Sequence, residues 1–286
     1  LSAAALALFA SGLCWAALDV QRKRLAQGVD ILALGAALAF LGLPAFAAVG
    51  AFAHDPGFDL ARYAPRTLLA AAFSAWAHVT FLRALSMAPL SVCLPLLALS
   101  PVFAAGFGVA WLGDPVRPLQ AVGIAAVACG AWLLPHAVGP GVDAAAAAQG
   151  RRLMLLVAAS WGLVAVIDRD ALRFATPLLH GAVQCGVVGA GLLLVLALRR
   201  RLSGLRTLGR RPWLLALAVI TGSAALGLQY AALKGLDAGS VESVKRAMGL
   251  TLALVNGRLL FGEHVTLRHV LAAALMGAGV PLVLGQ

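Results

Sequence analysis

The sequence predicts an all-α integral membrane protein, with ten transmembrane helices arranged as two five-helix inverted repeats. Hydrophobic residues make up 62% of the 286-residue chain and charged residues only 12%, about half the charge of a soluble domain. Apolar runs of about 20 residues, enough to cross a bilayer core as a helix, recur from end to end. Short motifs also recur at a fixed offset between the two halves. The alternating ten-residue strands of a barrel are not visible. No polar stretch exceeds about fifteen residues, which leaves no place for a soluble domain.

The ten segments cover roughly 2–20, 29–52, 67–87, 90–112, 118–138, 152–167, 177–198, 213–233, 239–261 and 267–285. The sixth is short, and its helix is expected to continue through Asp168-Arg169-Asp170 until Pro177 stops it. The first lacks a basic flank before its apolar core, so no cleavable leader is expected. Pro95 and Pro101 are expected to interrupt the fourth helix, making a hinge or exposing carbonyls to a cavity. Cys14, Cys93, Cys129 and Cys185 all lie within apolar runs without metal-ligand spacing, and are expected to be small packing residues.

At an offset of 149 residues, Leu90-Ser91-Val92 matches Gly239-Ser240-Val241, and Leu112-Gly113-Asp114-Pro115-Val116 matches Phe261-Gly262-Glu263-His264-Val265. Cys129-Gly130 matches Ala278-Gly279 at the same offset, and Cys14-Trp15 near the start of the chain echoes Ser160-Trp161. An odd number of helices per repeat forces the halves into opposite orientations. That arrangement, in secondary transporters, places substrate near the midplane between the repeats. The expected organisation is a first repeat over 1–138, a linker over 139–151 and a second repeat over 152–286.

The net charge of +11 is spread over the ends of apolar runs. It reads as a topology signal and a contact to anionic membrane lipid, with no nucleic-acid partner. Thirteen basic residues fall in the odd loops, six of them between Arg199 and Arg211, against six in the even loops. The positive-inside rule therefore puts the odd loops in the cytoplasm and both termini outside. The Arg199–Arg211 segment is expected to be a solvated, topology-setting loop.

The chemistry concentrates in the ninth segment. Glu242 lies one helical turn from both Lys245 and Arg246. An ionisable group at bilayer depth costs roughly +2.5 to +3.5 kcal/mol on insertion scales, so three in one turn mark a candidate substrate site. The alternative is that they sit near the helix end, snorkel to the headgroups and only anchor the segment. Trp15 and Asp19 share a face of the first helix. Asp19 could take a proton or a substrate amine, with Trp15 desolvating it, or pair with Arg22 or Lys23. His78 is a candidate substrate contact or titrating group, or a hydrogen-bond partner between helices. Trp161 could stack on a substrate, pack against aromatics or lie in an interfacial belt. Tyr230, with Gln229 beside it, offers neutral hydrogen bonds. Signatures of membrane enzymes and a P-loop are absent from the sequence, so no enzymatic activity and no cofactor are expected and ATP does not drive the chain directly.

Two five-helix halves, each with a Trp in its first helix and a Gly-Asp or Gly-Glu turn before its last, resemble the drug/metabolite transporter superfamily, EamA type. The strongest marks are Ser100-Pro101-Val102-Phe103, Trp111-Leu112-Gly113-Asp114 and Gly257-Arg258 through Gly262-Glu263. The resemblance implies a multi-pass protein of the cell (inner) membrane that carries or exports a small organic metabolite, such as an amino acid or another carboxylate, by alternating access. It implies a cavity lined by helices one, three, four, six, eight and nine, and both termini in the cytoplasm, the reverse of the charge rule. Val244-Lys245-Arg246 is similar to the Lys-Arg pair that binds phosphate in plastid phosphate translocators. Those carry a further basic residue in the fourth helix, whereas Leu90 to Trp111 holds no Lys or Arg. A less charged anion is therefore implied, with a proton or a counter-substrate as the coupling partner. The contrasting expectation is a non-transporting membrane scaffold, or a membrane enzyme with an unrecognised site.

Overall fold

The computed structural model of the chain describes residues 2–27, 29–50, 58–88, 96–133, 144–261 and 266–285. These form eleven helices: α1 (Ala3–Leu25), α2 (Ile31–Gly50), α3 (Leu60–Met87), α4 (Ser100–Leu112), α5 (Pro118–Trp132), α6 (Ala144–Ala171), α7 (Pro177–Leu198), α8 (Gly204–Leu208), α9 (Pro212–Gly235), α10 (Ala238–Phe261) and α11 (Leu267–Leu284). Among the described residues, α1, α2, α3, α6, α7, α9 and α11 are long and apolar enough to cross a membrane, seven against the ten expected. Helices α4 and α5 have 13 and 15 residues, and α10 carries too many charges in its 24 residues to qualify by composition.

Local chemistry sets the helix ends. Ser2 accepts from the Ala5 amide to cap α1, and Arg22, Lys23 and Arg24 occupy its last turn, where cations complement the helix dipole. Thr176 caps α7 through the Leu179 amide, with Pro177 at the first helical position. Asp237 accepts from the Ser240 amide at 2.8 Å and starts α10. Gly113 closes α4 in the left-handed conformation (φ +70°). The Gly113 amide there bonds to the Val109 carbonyl, the bond of an αL helix end, and the Asp114 amide to Gly108.

Some expectations hold at this level and others change. Leu96 and Leu97 are helical, Ala98 and Leu99 form a turn, and Pro101 sits in the first turn of α4, so the fourth segment is interrupted just before this proline. Pro95, Cys93, the Leu90-Ser91-Val92 motif and the Gly262-Glu263-His264 motif lie outside the described residues. The alanine run of the expected linker, from Ala145 onward, forms the first turns of α6, and that helix ends at Ala171 rather than running on toward Pro177. The Arg199–Arg211 segment contains α8 and is fastened: Arg201 pairs with Asp30 at 3.2 Å, and Arg211 donates to the Arg24 carbonyl at 3.0 Å.

The helices collect into two compact units, each drawing on both halves of the sequence. The first is Leu1–Ala75 with Ile167–Gly235 and the second Trp76–Val166 with Leu236–Gln286. In the first unit α1 packs on α9 and α2 on α7. Phe40 closes over Gly189, where an added Cβ would lie 2.6 Å from the Phe40 backbone nitrogen. In the second unit α5 packs on α11 and α4 on α10. Gly123 approaches the Gly279 carbonyl and Gly130 the Ala272 carbonyl, the close backbone contact that drives helix association where no hydrophobic force acts between helices. A core of Ala77, Ala84, Leu96, Leu97, Met154 and Val157 joins the second half of α3 to α6 within that unit.

Candidate substrate site

The charged turn of α10 lies in the second unit. Glu242 is buried to 1% exposure. Lys245 forms an ion pair with its Oε1, and the Arg246 guanidinium lies 3.6 Å from Oε2. Ser100, at the start of α4, completes the set: its hydroxyl donates to Glu242 Oε2 at 2.9 Å and accepts from Arg246 Nε at 2.9 Å. The backbones bring these helices close through a small residue. A Cβ on Gly162 of α6 would stand 2.8 Å from the Ser100 carbonyl and the Ala104 nitrogen of α4.

Trp161 of α6 forms the aromatic side. Arg246 lies over its ring at 5.4 Å, within the range of a cation–π contact. His78 of α3 meets the same ring edge-on at 5.8 Å, and Phe81 packs at 5.5 Å. The side chains of Lys245 and Arg246 remain 20% and 17% exposed. One carboxylate and two cations leave a net single positive charge beside an aromatic face. Such a site can hold one anionic group and an apolar body. The structure therefore brings together five of the eight residues expected at the site: His78, Trp161, Glu242, Lys245 and Arg246.

The other three lie in the first unit. Trp15 donates from Nε1 to Gln229 Oε1 at 3.1 Å. Asp19 pairs with Arg22 at 3.4 Å and its side chain is 57% exposed. The Trp15 ring lies under Arg22, 5.5 Å from the guanidinium carbon, so its face serves the cation rather than shielding Asp19. Tyr230 is buried and meets His180 of α7 edge-on at 4.6 Å. Gln229 and Tyr230 both lie inside α9.

Around Tyr230 the first unit holds a polar network that sequence reasoning did not single out. Asp168 of α6 and His180 of α7 are 3.1 Å apart, Oδ1 to Nε2. The other ring nitrogen of His180 lies 3.0 Å from the Tyr63 hydroxyl of α3. Gln184 donates to Asp168 Oδ1 at 3.3 Å and to both the hydroxyl and the carbonyl of Thr67 at 3.2 Å. The only sequence signals were polar residues inside apolar runs, Asp168 before Pro177 and His180 after it.

The repeated halves and the seven helices long and apolar enough to cross a membrane define a multi-pass membrane protein. Residues 2–134 and 149–285 both match the EamA-like transporter family. The chain belongs to that family, within the drug/metabolite transporter superfamily, and is a membrane transporter type that meets a small-molecule substrate and membrane lipid. A solved crystal structure of a protein with 19% sequence identity covers 98% of this chain and 96% of that one, with a TM-score of 0.79. At that identity the likeness establishes the fold alone. No curated protein matches the chain.

Proposed function

We propose that the chain is a secondary carrier of the cell (inner) membrane for a small organic solute bearing one carboxylate or a comparably charged anionic group. The carrying observation is Arg246, held by Ser100 and Glu242 on one side and over Trp161 on the other. Its planar guanidinium suits bidentate recognition of a carboxylate. Lys245 adds the second cation, and Trp161 with His78 supplies surface for the solute's body. Glu242 absorbs one of the two charges, which favours a singly charged group over a sugar phosphate.

Alternating access between two inverted five-helix repeats is the proposed mechanism, with all ten helices of 13 residues or more crossing the membrane. Its support is the pairing of helices that hold the same place in each half: α2 with α7, α4 with α10 and α5 with α11. Such pairing of equivalents is what a pseudo-two-fold relation produces. The organisation is then one repeat before the linker region 139–151 and one after it.

Purified protein in liposomes, assayed with a panel of radiolabelled amino acids and other carboxylates, tests the proposal. Specific flux is expected for at least one solute, with Lys245→Ala and Arg246→Ala lowering it at least tenfold at unchanged membrane expression. Flux no greater than in protein-free liposomes across the panel would sink the transport reading. Wild-type flux in both variants would leave the pair as an anchor only.

A further inference from the structure

We propose that Asp168 and His180 form a proton-binding site through which transport is linked to a proton gradient, an inference that rests on the carrier reading above. Both side chains are buried in the first unit, at 3% and 0% exposure. A neutral His180 with its hydrogen on Nε2 donates to Asp168 and accepts the Tyr63 hydroxyl at Nδ1. With Asp168 ionised, this arrangement encloses one negative charge. One added proton brings the pair to neutrality, either as imidazolium with carboxylate or as imidazole with carboxylic acid. In either form His180 Nδ1 can donate to the Tyr63 hydroxyl, which then turns its own hydrogen toward Thr67. The Tyr63 and Thr67 hydroxyls lie 3.3 Å apart, and hydroxyls rotate to exchange donor and acceptor roles.

Among the described residues, the neighbouring charged groups are engaged elsewhere. From α3 the facing groups are Tyr63 and Arg66, and from α9 they are Tyr230 and Lys234. Arg66 is engaged with Asp170 at 2.6 Å, and Arg173 also pairs with Asp170, at 3.6 Å. Lys234 reaches the Ala175 carbonyl at 3.5 Å. Cys185 lies one turn further along α7, and α2, which packs on α7, carries no titratable residue between Ile31 and Gly50. Among the described residues, the direct hydrogen-bond partners of Asp168 are thus Gln184 and His180. The site joins side chains of α3, α6 and α7 by hydrogen bonds, with Tyr230 of α9 against the His180 ring, so a proton entering it changes the hydrogen bonding of three helices together. Histidine is the side chain fitted to such a change near neutral pH, and an ionisable pair enclosed in a membrane protein is expensive unless it is used.

Two measurements decide it. In the first, the full chain in nanodiscs, labelled at histidine rings and aspartate carboxyls, is titrated by nuclear magnetic resonance from pH 5 to 9. Signals lost in His180→Gln or Asp168→Asn identify the pair. The pair is expected to take up one proton within this range, and Tyr63→Phe, which removes a single hydroxyl, is expected to shift the midpoint. Should His180→Gln fold poorly, Tyr63→Phe still identifies the ring through that shift. A His180 ring and an Asp168 carboxyl that both hold one protonation state throughout would overturn the proposal. In the second, liposomes carrying a solute identified in the panel are given an imposed pH gradient. Asp168→Asn and His180→Gln are expected to lose concentrative uptake and to retain solute exchange. Concentrative uptake surviving in both variants overturns the coupling role while leaving the carrier reading intact. A chain that titrates but moves no solute means the carrier reading has failed, not the proton site.

Discussion

Ser100 shows how much one hydroxyl settles in an apolar environment. It donates to Glu242 and accepts from Arg246, so Ser100→Ala deprives a buried carboxylate and a guanidinium of one bond each. Leaving such groups unsatisfied costs about 1–3 kcal/mol, and a matching drop in thermal stability in detergent is the expected result. Glu242→Ala is harsher, because it removes the one carboxylate to which both cations are paired: breaking a buried pair from one side costs about 3–5 kcal/mol. Arg246→Lys keeps the charge but loses the planar contact with Trp161, so it is expected to lower flux about tenfold, the equivalent of ~1.4 kcal/mol. Unchanged flux in that variant would show that charge alone suffices. The charged turn was legible in the sequence because Glu242, Lys245 and Arg246 lie three and four residues apart, a spacing that a helix converts into contact. Ser100 was not, since it meets its carboxylate across 142 residues and a serine in an apolar run carries no periodic signal. Asp168 and His180 are only 12 residues apart, yet they sit on separate helices joined at Pro177, and no fixed spacing announces a contact made by a turn.

At the scale of elements, glycines divide into those that permit contact and those that do not. A Cβ on Gly130 would lie 2.9 Å from the Ala272 carbonyl and 2.6 Å from Met276 Cγ, whereas one on Gly106 of α4 meets nothing within 4 Å. Gly130→Val is therefore expected to push α5 from α11, with overpacking of about 1–3 kcal/mol or more. Gly106→Ala is expected to stabilise α4 by about 0.5–1 kcal/mol, because glycine is the poorer helix former. Thermal unfolding of the two variants checks both signs, and equal effects would contradict the packing described. The sequence marked Gly130 and Gly279 as repeated small residues, and both fall on the α5–α11 contact. It also placed the end of α4 at the Gly-Asp turn, because Gly113 adopts a backbone conformation that most residues resist. The break it expected at Pro101 falls at the turn of Ala98 and Leu99, immediately before Ser100 opens α4.

For the whole molecule, the two sequence halves and the two compact units are different divisions. The halves follow the chain, as the family match does, while each unit takes residues from both. Repeats at a fixed offset made the first division legible. The second depends on which helices exchange partners, and pattern alone does not supply that. Orientation is a question at this scale too. If the positive-inside rule governs, the Arg199–Arg211 segment is cytoplasmic and Gln286 outside, and a reporter fused after Gln286 then lacks cytoplasmic activity. Activity in the cytoplasm would show that the family's usual orientation overrides the charge count.

The fastening of the Arg199–Arg211 segment bears on its exposure to proteases. Six arginines there offer five sites to a trypsin-like protease, since Pro212 protects the bond after Arg211. Yet Leu208 is buried, Arg201 is tied to Asp30 and Arg211 to the end of α1, and a protease needs several residues drawn out straight. Intact protein should therefore be cut slowly here despite the density of sites. Cleavage would then follow the rate at which α8 detaches, and this short basic segment becomes a clock for local opening on one face of the membrane.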